Sequence, residues 1–334
     1  MSCLYPKLLT VIPHASVDKN GNPCSKVIFG KDGTYEGEKW FRETGAEVNF
    51  YTVPCGQCVE CRLNRCRQWV DRLKMESMSY SSDEVAFLTL TYNNENLPRD
   101  MSVHKEHLQG FMKRLRIYLK RHFNKEVRFF ACGEYGERGE ELTGFGRPHY
   151  HLILFGFDFW HNDTLRKIGE NKYGDSHYTS LAILADNWHY GFNTVCRVSD
   201  KVMFYVASYT MKKFTGKLKI DFYDSKGREP VFVLMSRRPG IGAKYLEDNI
   251  ENVKKTKSLV IPGGRSVCPS GYCLDIVSKG DLALRALLSD INCRSADNRN
   301  DNLVHQGINI RRYNEMVSNE RQERKKLKEN LKIY

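Results

Sequence analysis

The chain has 334 residues, 41% of them hydrophobic, with a formal charge of +12 and a pI near 9.1. That length allows one large domain or two ordinary ones with a sizeable core, and no run approaches the ~20 apolar residues of a membrane span. The basic balance favours a polyanionic partner, nucleic acid or an anionic membrane surface, although a soluble protein with a basic surface has the same charge.

At the N-terminus, Met1 to Lys7 have neither the basic start nor the apolar stretch of a signal peptide, so none is expected. Asn20-Gly21, Lys31-Asp32-Gly33 and Thr44-Gly45 are turn signals, with short strands expected at 26–29 and 47–53. Residues 1–54 thus read as an irregular or hairpin-like arm. A cysteine-rich segment follows and runs into a basic helix ending near residue 80, with Leu63, Val70, Leu73 and Met78 at mostly helical spacing. Residues 83–92 read as a strand, and 105–123 as a helix with Leu108, Phe111, Met112, Leu115, Tyr118 and Leu119 on its apolar face. Strands at 127–134 and 147–157 flank a polar, glycine-rich loop, which predicts an antiparallel hairpin. A helix at 181–189 and a strand at 192–198 come next, and Ser199 or Asp200 caps a helix reaching about residue 214. A strand at 230–235, a basic turn at 237–242 and a loop at 262–272 follow. The tail from 310 to 334 reads as a charged helix, more simply solvated than bound to nucleic acid.

Two segments suggest chemistry. In Arg147-Pro148-His149-Tyr150-His151, strand alternation points both histidines the same way, and two imidazoles side by side can share a metal ion. A strand that merely carries two histidines fits the same residues. Glu134, near the end of the other hairpin strand, lies within reach of such a metal if cross-strand neighbours are ~5 Å apart. Its plainer role is pairing with Arg147 or Arg138. Two imidazoles and a carboxylate suit Mg2+ or Mn2+ on a phosphate, with Zn2+ or Fe2+ also allowed by ligand type. In the helix at 200–214, Tyr205, Tyr209 and Lys212 fall within roughly 60° of one another at ~100° per residue. Met203, Ala207, Thr210 and Phe214 fall opposite, so the tyrosines are expected on a polar face rather than in the core. A tyrosine hydroxyl is a weak nucleophile at its usual pKa of ~10. A metal-bound phosphate and a nearby lysine make attack feasible, giving a 5′-phosphotyrosine and a free 3′-hydroxyl.

At this point the chain resembles a known family. Phe87-Leu88-Thr89-Leu90-Thr91-Tyr92, the His149 and His151 segment, and Tyr205-Val206-Ala207-Ser208-Tyr209-Thr210-Met211-Lys212-Lys213 look like the three ordered motifs of HUH endonucleases that start rolling-circle replication. The paired tyrosines are similar to those in the replication initiators of microviruses, the gokushovirus branch in particular. Pro54-Cys55-Gly56, Gly133-Glu134-Tyr135-Gly136 and Ser236-Arg237-Arg238-Pro239-Gly240-Ile241-Gly242 add to the likeness. It implies an α+β fold: a central antiparallel sheet of ferredoxin-like or RRM-like layout flanked by helices, with helices on one face and the metal on the other. The endonuclease domain is expected at 55–245, its cysteine-rich basic segment at 55–80, with extensions at 1–54 and 246–334. The resemblance implies His149, His151 and Glu134 as metal ligands, Tyr205 and Tyr209 as nucleophiles, and Lys212 as a phosphate or metal-site partner. The segment at Thr89–Tyr92 is expected to be mostly structural. The implied activity is metal-dependent nicking and rejoining of origin DNA with Mg2+ or Mn2+, in the host bacterial cytoplasm. The expected partners are single-stranded and origin double-stranded DNA. No GxxxxGK[ST] loop occurs, so helicase and polymerase would come from the host. Neither a membrane nor a small-molecule substrate is expected.

Two other readings use the same features: a non-catalytic basic DNA-binding protein for origin recognition or packaging, and a metal phosphohydrolase that uses water. The helices at 62–74 and 105–121, with Arg237 and Arg238, would supply phosphate contacts in all three. Eleven cysteines, an odd number, suit reduced thiols or metal ligands better than a disulfide framework. Cys55, Cys58, Cys61 and Cys66 have a spacing that allows structural Zn2+, with Cys268 and Cys273 as a candidate second pair, but it also fits reduced thiols packing a helix start. His104 and His107 are expected on the surface, and Cys132 and Cys196 as buried thiols.

Overall fold

The computed structural model describes residues 7–29, 31–45, 48–136, 146–170, 174–212 and 223–305. Residues up to Arg62, with those from Asn298 onward, form one compact unit, and Leu63–Asp297 form another.

In the first unit, β1 (Lys7–Val17), β2 (Pro23–Phe29) and β3 (Asn49–Val53) pair antiparallel in the order β2-β1-β3. The turn at Asn20-Gly21 holds, because Asp18 accepts the amides of Asn20 and Asn22 and Gly21 takes φ 83°. Lys31-Asp32-Gly33 is not a turn. It opens α1 (Lys31–Thr44), and Gly45, at φ 66°, ends that helix in the left-handed region.

The second unit is built on a seven-stranded sheet in the order β10-β5-β6-β4-β9-β8-β7, antiparallel throughout. Its strands are β4 (Val85–Tyr92), β5 (Arg128–Tyr135), β6 (Pro148–Phe155), β7 (Leu165–Glu170), β8 (Ser176–Ser180), β9 (Gly191–Arg197) and β10 (Phe232–Met235). Helix α2 (Val59–Ser77) enters this unit, and α3 (Lys105–Phe123) joins β4 to β5. The short α4 (Phe159–Asn162) and α5 (Ile183–Asn187) lie between β6 and β9. The inner order β9-β4-β6-β5 with these connections is the ferredoxin-like layout.

β4 is apolar on both alternating faces because both are covered. Leu88, Leu90 and Tyr92 join Tyr150, Leu152 and Leu154 beneath α3, which contributes Leu108, Phe111, Met112, Leu115 and Leu119. Each such side chain contributes roughly 1.5–3 kcal/mol when fully buried. Val85 and Phe87 face the other way, with Phe130, Cys132, Ile153 and Cys196. Cys66 and Leu73 of α2 and Met203, Val206 and Ala207 of α6 (Asp200–Ser208) pack on them. Helices therefore cover both faces, which corrects the one-sided arrangement expected. A sheet buried on one side only would carry polar residues at Phe87, Phe130 and Ile153. Met78 also departs from expectation. It lies just past the end of α2 and is 61% exposed.

A third core gathers Met75, Leu246, Val253, Leu259, Ile261, Val277, Leu284 and Leu288. It is built from α7 (Ala243–Asp248), α8 (Ile250–Thr256), β11 (Leu259–Ile261), β12 (Arg265–Val267), α9 (Tyr272–Val277) and α10 (Leu282–His305). Part of the loop expected at 262–272 is the β11–β12 hairpin, turned by Gly263 and Gly264 at φ 100° and 92°. Buried Glu76 holds the basic turn in place. It pairs with Arg128 at 2.5 Å and accepts the Gly242 amide at 2.7 Å. The charged helix expected at 310–334 lies outside the described residues.

Candidate metal and nucleophile site

The β5–β6 register sets Glu134 opposite His149 and Cys132 opposite His151, and the β4–β6 register sets Thr89 opposite His151. Paired residues share a face, so these side chains converge. Ligand atoms of Glu134, His149 and His151 all lie within 4.8 Å of one another. Glu134 Oε1 is 2.6 Å from His149 Nε2 and 3.2 Å from His151 Nε2.

The outer ring nitrogens decide what this trio can hold. His149 Nδ1 is 3.0 Å from the Arg147 carbonyl, which only accepts, so Nδ1 carries the proton. His151 Nδ1 is 3.0 Å from Thr89 Oγ1. With Nδ1 protonated, each Nε2 turns a lone pair toward the Glu134 carboxylate. Acceptors that close repel unless a cation or a proton stands between them, so the donor set fits a divalent ion. Burial alone would raise the Glu134 pKa. Hydrogen bonds from His149 and His151, with their charge, outweigh it and hold the carboxyl well below its usual range.

Helix α6 carries the tyrosines over this trio. Ser199 caps it, accepting from the Val202 amide, and after Ser208 it tightens into a 3-10 turn at Tyr209–Lys212. The Tyr205 hydroxyl is 3.2 Å from His151 Nε2. The Tyr209 hydroxyl donates to Glu134 Oε1 at 2.9 Å and stands 2.6 Å from the Tyr205 hydroxyl. Rings of Phe87 and Tyr209 both stack on His151, with centroids 5.5 Å away. Burial, then the charge of Glu134 and the neighbouring Tyr205, push the Tyr209 pKa far above its usual value. The structure thus brings together Glu134, His149, His151, Tyr205 and Tyr209. Lys212 ends the 3-10 turn, but its side chain, like Lys213 and Phe214, lies outside what is described. The tyrosine stripe is not the polar outer face expected. Tyr209 is only 5% exposed, as buried as Met203 on the opposite stripe, because α6 lies across the sheet and turns both stripes inward.

The family model for the replication-associated protein ORF2 group matches residues 85–214, from the start of β4 past the tyrosine pair. Replication-associated protein ORF4 of Chlamydia phage 1 is 31% identical over 69% of this chain and 54% of its own length. Replication-associated protein ORF2 of Spiroplasma virus 4 is 31% identical over 65% and 63%, and replication-associated protein VP4 of Bdellovibrio phage phiMH2K is 30% identical over 67% and 66%. The chain belongs to the microvirus replication-associated proteins. It spans about half to two thirds of the length of these relatives. No solved structure matches it. Among the described residues, no helix is long and apolar enough to cross a membrane.

In this replication-associated protein, Thr89 touches the site more directly than its motif suggested. The signal was available: Phe87, Thr89 and Thr91 alternate onto the histidine face once β4 is paired with β6. Tyr150, between the histidines, points the other way, fully buried and bonded to the Tyr92 hydroxyl at 2.5 Å. Arg147 does not pair with Glu134. Its guanidinium donates to the Tyr92 carbonyl and to Asn94. The alternative partner, Arg138, lies outside the described residues. His107 is not a free surface group either, being half-buried, 2.7 Å from the Tyr92 hydroxyl and stacked on Tyr190. Several basic residues expected to meet phosphate are committed to the fold. Arg72 stacks on Trp69 and Tyr272, Arg114 donates to the Asn187 carbonyl, and Arg116 to the Val127 carbonyl. On the histidine face, β9 places Phe192 opposite Thr91, and Phe192 is 66% exposed.

Proposed function

We propose that this chain initiates rolling-circle replication by nicking and rejoining one strand of its origin DNA through a tyrosine–DNA bond. The observation that carries this reading is the pair of tyrosyl hydroxyls, 2.6 Å apart, with Tyr205 reaching His151 and Tyr209 reaching Glu134. A DNA-binding module has no use for two hydroxyls at a carboxylate–histidine cluster. The names of the phage relatives point to the same process.

Glu134, His149 and His151 would hold a divalent ion, Mg2+ or Mn2+ on ligand type, which draws charge from the scissile phosphate. A tyrosyl oxygen attacks phosphorus, and the bond from phosphorus to the 3′-oxygen breaks. The tyrosyl proton goes to solvent and the 3′-oxygen takes one up, leaving a 5′-phosphotyrosine and a free 3′-hydroxyl. Attack by a 3′-hydroxyl on the tyrosyl ester runs the exchange backwards and rejoins a strand. Lys212 stabilises the charge that develops on the phosphate. Thr89 and the Arg147 carbonyl orient the two imidazoles. The free 3′-end primes host polymerase and helicase, in the host bacterial cytoplasm.

The test is a denaturing gel of end-labelled single-stranded DNA from the cognate genome with the protein and Mn2+. The expected product is an adduct that survives denaturant, needs metal, and vanishes in the Tyr205→Phe/Tyr209→Phe double variant. Cleavage that persists in the double variant without an adduct would replace this reading with a water-using hydrolase. Salt-sensitive binding without cleavage, on DNA tiled across the genome, would replace it with a binding protein.

A further inference from the structure

One cluster of metal-ligating side chains plays no part in the proposed reaction. Cys55, Cys58 and Cys61 place their sulfurs within 4.8 Å of one another. The local chain builds this arrangement. Gly56 sits at φ 74°, a conformation that side chains with a Cβ disfavour. The amides of Gln57 and Cys58 then point at Cys55 Sγ, at 3.5 and 3.3 Å. Such donors favour a thiolate over a thiol. The Arg62 amide bonds to the Cys58 carbonyl, so Cys58 stands at the mouth of α2. Cys61, three residues later, lies on the same side of the helix. The positive end of the helix favours negative charge at both.

We propose that Cys55, Cys58 and Cys61 bind one zinc ion as thiolates, on ligands distinct from the carboxylate–histidine trio. The ion fastens the Cys55–Cys58 turn to the start of α2. Sulfurs on a single tetrahedral zinc, with Zn–S of about 2.3 Å, are ~3.8 Å apart, inside the observed limit. An iron–sulfur cube binds its thiolates on different irons and holds them farther apart. All-sulfur ligation also selects zinc over Mg2+ or Mn2+. Binding releases the thiol protons and transfers no electrons. Cys66 is not the fourth ligand. It lies roughly 140° around the helix from Cys61, and its side chain is fully buried among Leu73, Phe130 and Ile153. Neither Cys268 nor Cys273 joins any metal-competent group among the described residues. The fourth ligand comes from outside these cysteines.

The test uses the full chain, purified reduced and without chelator, with metal content measured by plasma mass spectrometry. One zinc per chain is expected, retained in Glu134→Gln and lost in Cys58→Ser and in Cys61→Ser. Cobalt substitution should give the thiolate-to-cobalt charge-transfer band, and zinc X-ray absorption should show three sulfur neighbours. A further readout needs no variant. Maleimide should modify Cys293, which is exposed, at once, and Cys55, Cys58 and Cys61 only after a chelator is added. A folded, reduced chain without zinc, whose cysteine trio reacts at a rate that chelator does not change, overturns the proposal. So does the absorption of an iron–sulfur cluster. These readouts are independent of the DNA adduct, so either proposal can fail alone.

Discussion

Glu134 and His149 face each other directly across the β5–β6 ladder, with 2.6 Å between carboxylate oxygen and imidazole nitrogen. The pairing rests on register, which is why the site is rigid. A slip of one residue would send both side chains to the α3 face. The buried rows of Leu152, Leu154 and Ala131 oppose such a slip.

Thr89 orients His151 without belonging to the trio. Thr89→Val keeps the shape and removes the partner of His151 Nδ1. The Mn2+ concentration for half-maximal adduct formation should rise about 10- to 100-fold, with adduct yield at saturating metal largely kept. An unchanged metal requirement would show that the contact does not position the ring.

The two tyrosines differ in access. Tyr205 is half-buried, whereas Tyr209 is buried and held as a donor to Glu134. Tyr205→Phe should abolish the first adduct on a single-stranded origin oligonucleotide. Tyr209→Phe should form that adduct but fail to cut a rejoined junction. Peptide mapping of the adduct reads the order directly, and DNA on Tyr209 in the first turnover would reverse it.

Phe192 is a large apolar ring left open on the histidine face. A base stacked on an aromatic ring is worth about 1–3 kcal/mol. Phe192→Ala should therefore weaken single-stranded DNA binding by roughly 5- to 150-fold, with the melting temperature held. Equal affinity for both proteins in a fluorescence titration would rule out the platform.

Alkaline pH should destabilise the fold through its buried thiols. Burial pushes Cys66 up to about 12, partly offset by the charge of Arg67. Burial and the charge of Asp175 push Cys196 up to about 12. Below the ordinary value of 9.0 both thiols are protonated in the folded and unfolded chains, and their contribution is fully present. Above it the unfolded chain releases these protons first, so stability falls as pH rises from 9.0 to about 12. Urea midpoints measured across that range should fall, and Cys196→Ala should flatten the decline.

Much of the central sheet was legible because its signals are local. The hairpin carrying Glu134, His149 and His151, the helix at Lys105–Phe123 and the Ser199 cap follow from alternation, helical spacing and cap chemistry. β7 was not legible, since Arg166, Lys167, Ile168, Gly169 and Glu170 are all exposed and have no apolar face to reveal a period. α1 was hidden by Gly33 and Gly37 inside a polar run, which read as turns. The fate of the basic side chains was the least legible feature. Arg72, Arg114 and Arg116 look like phosphate ligands in sequence, and only tertiary packing shows that carbonyls and aromatic rings occupy them.

The 2.6 Å between the Tyr205 and Tyr209 hydroxyls limits how the proposed reaction is timed. A phosphate esterified to one oxygen would occupy the place of the other, so the pair is one berth with two claimants. A strand must leave before the next is taken. The chain would then hold a single DNA end at a time, and each handover would mark the close of one copy and the start of the next.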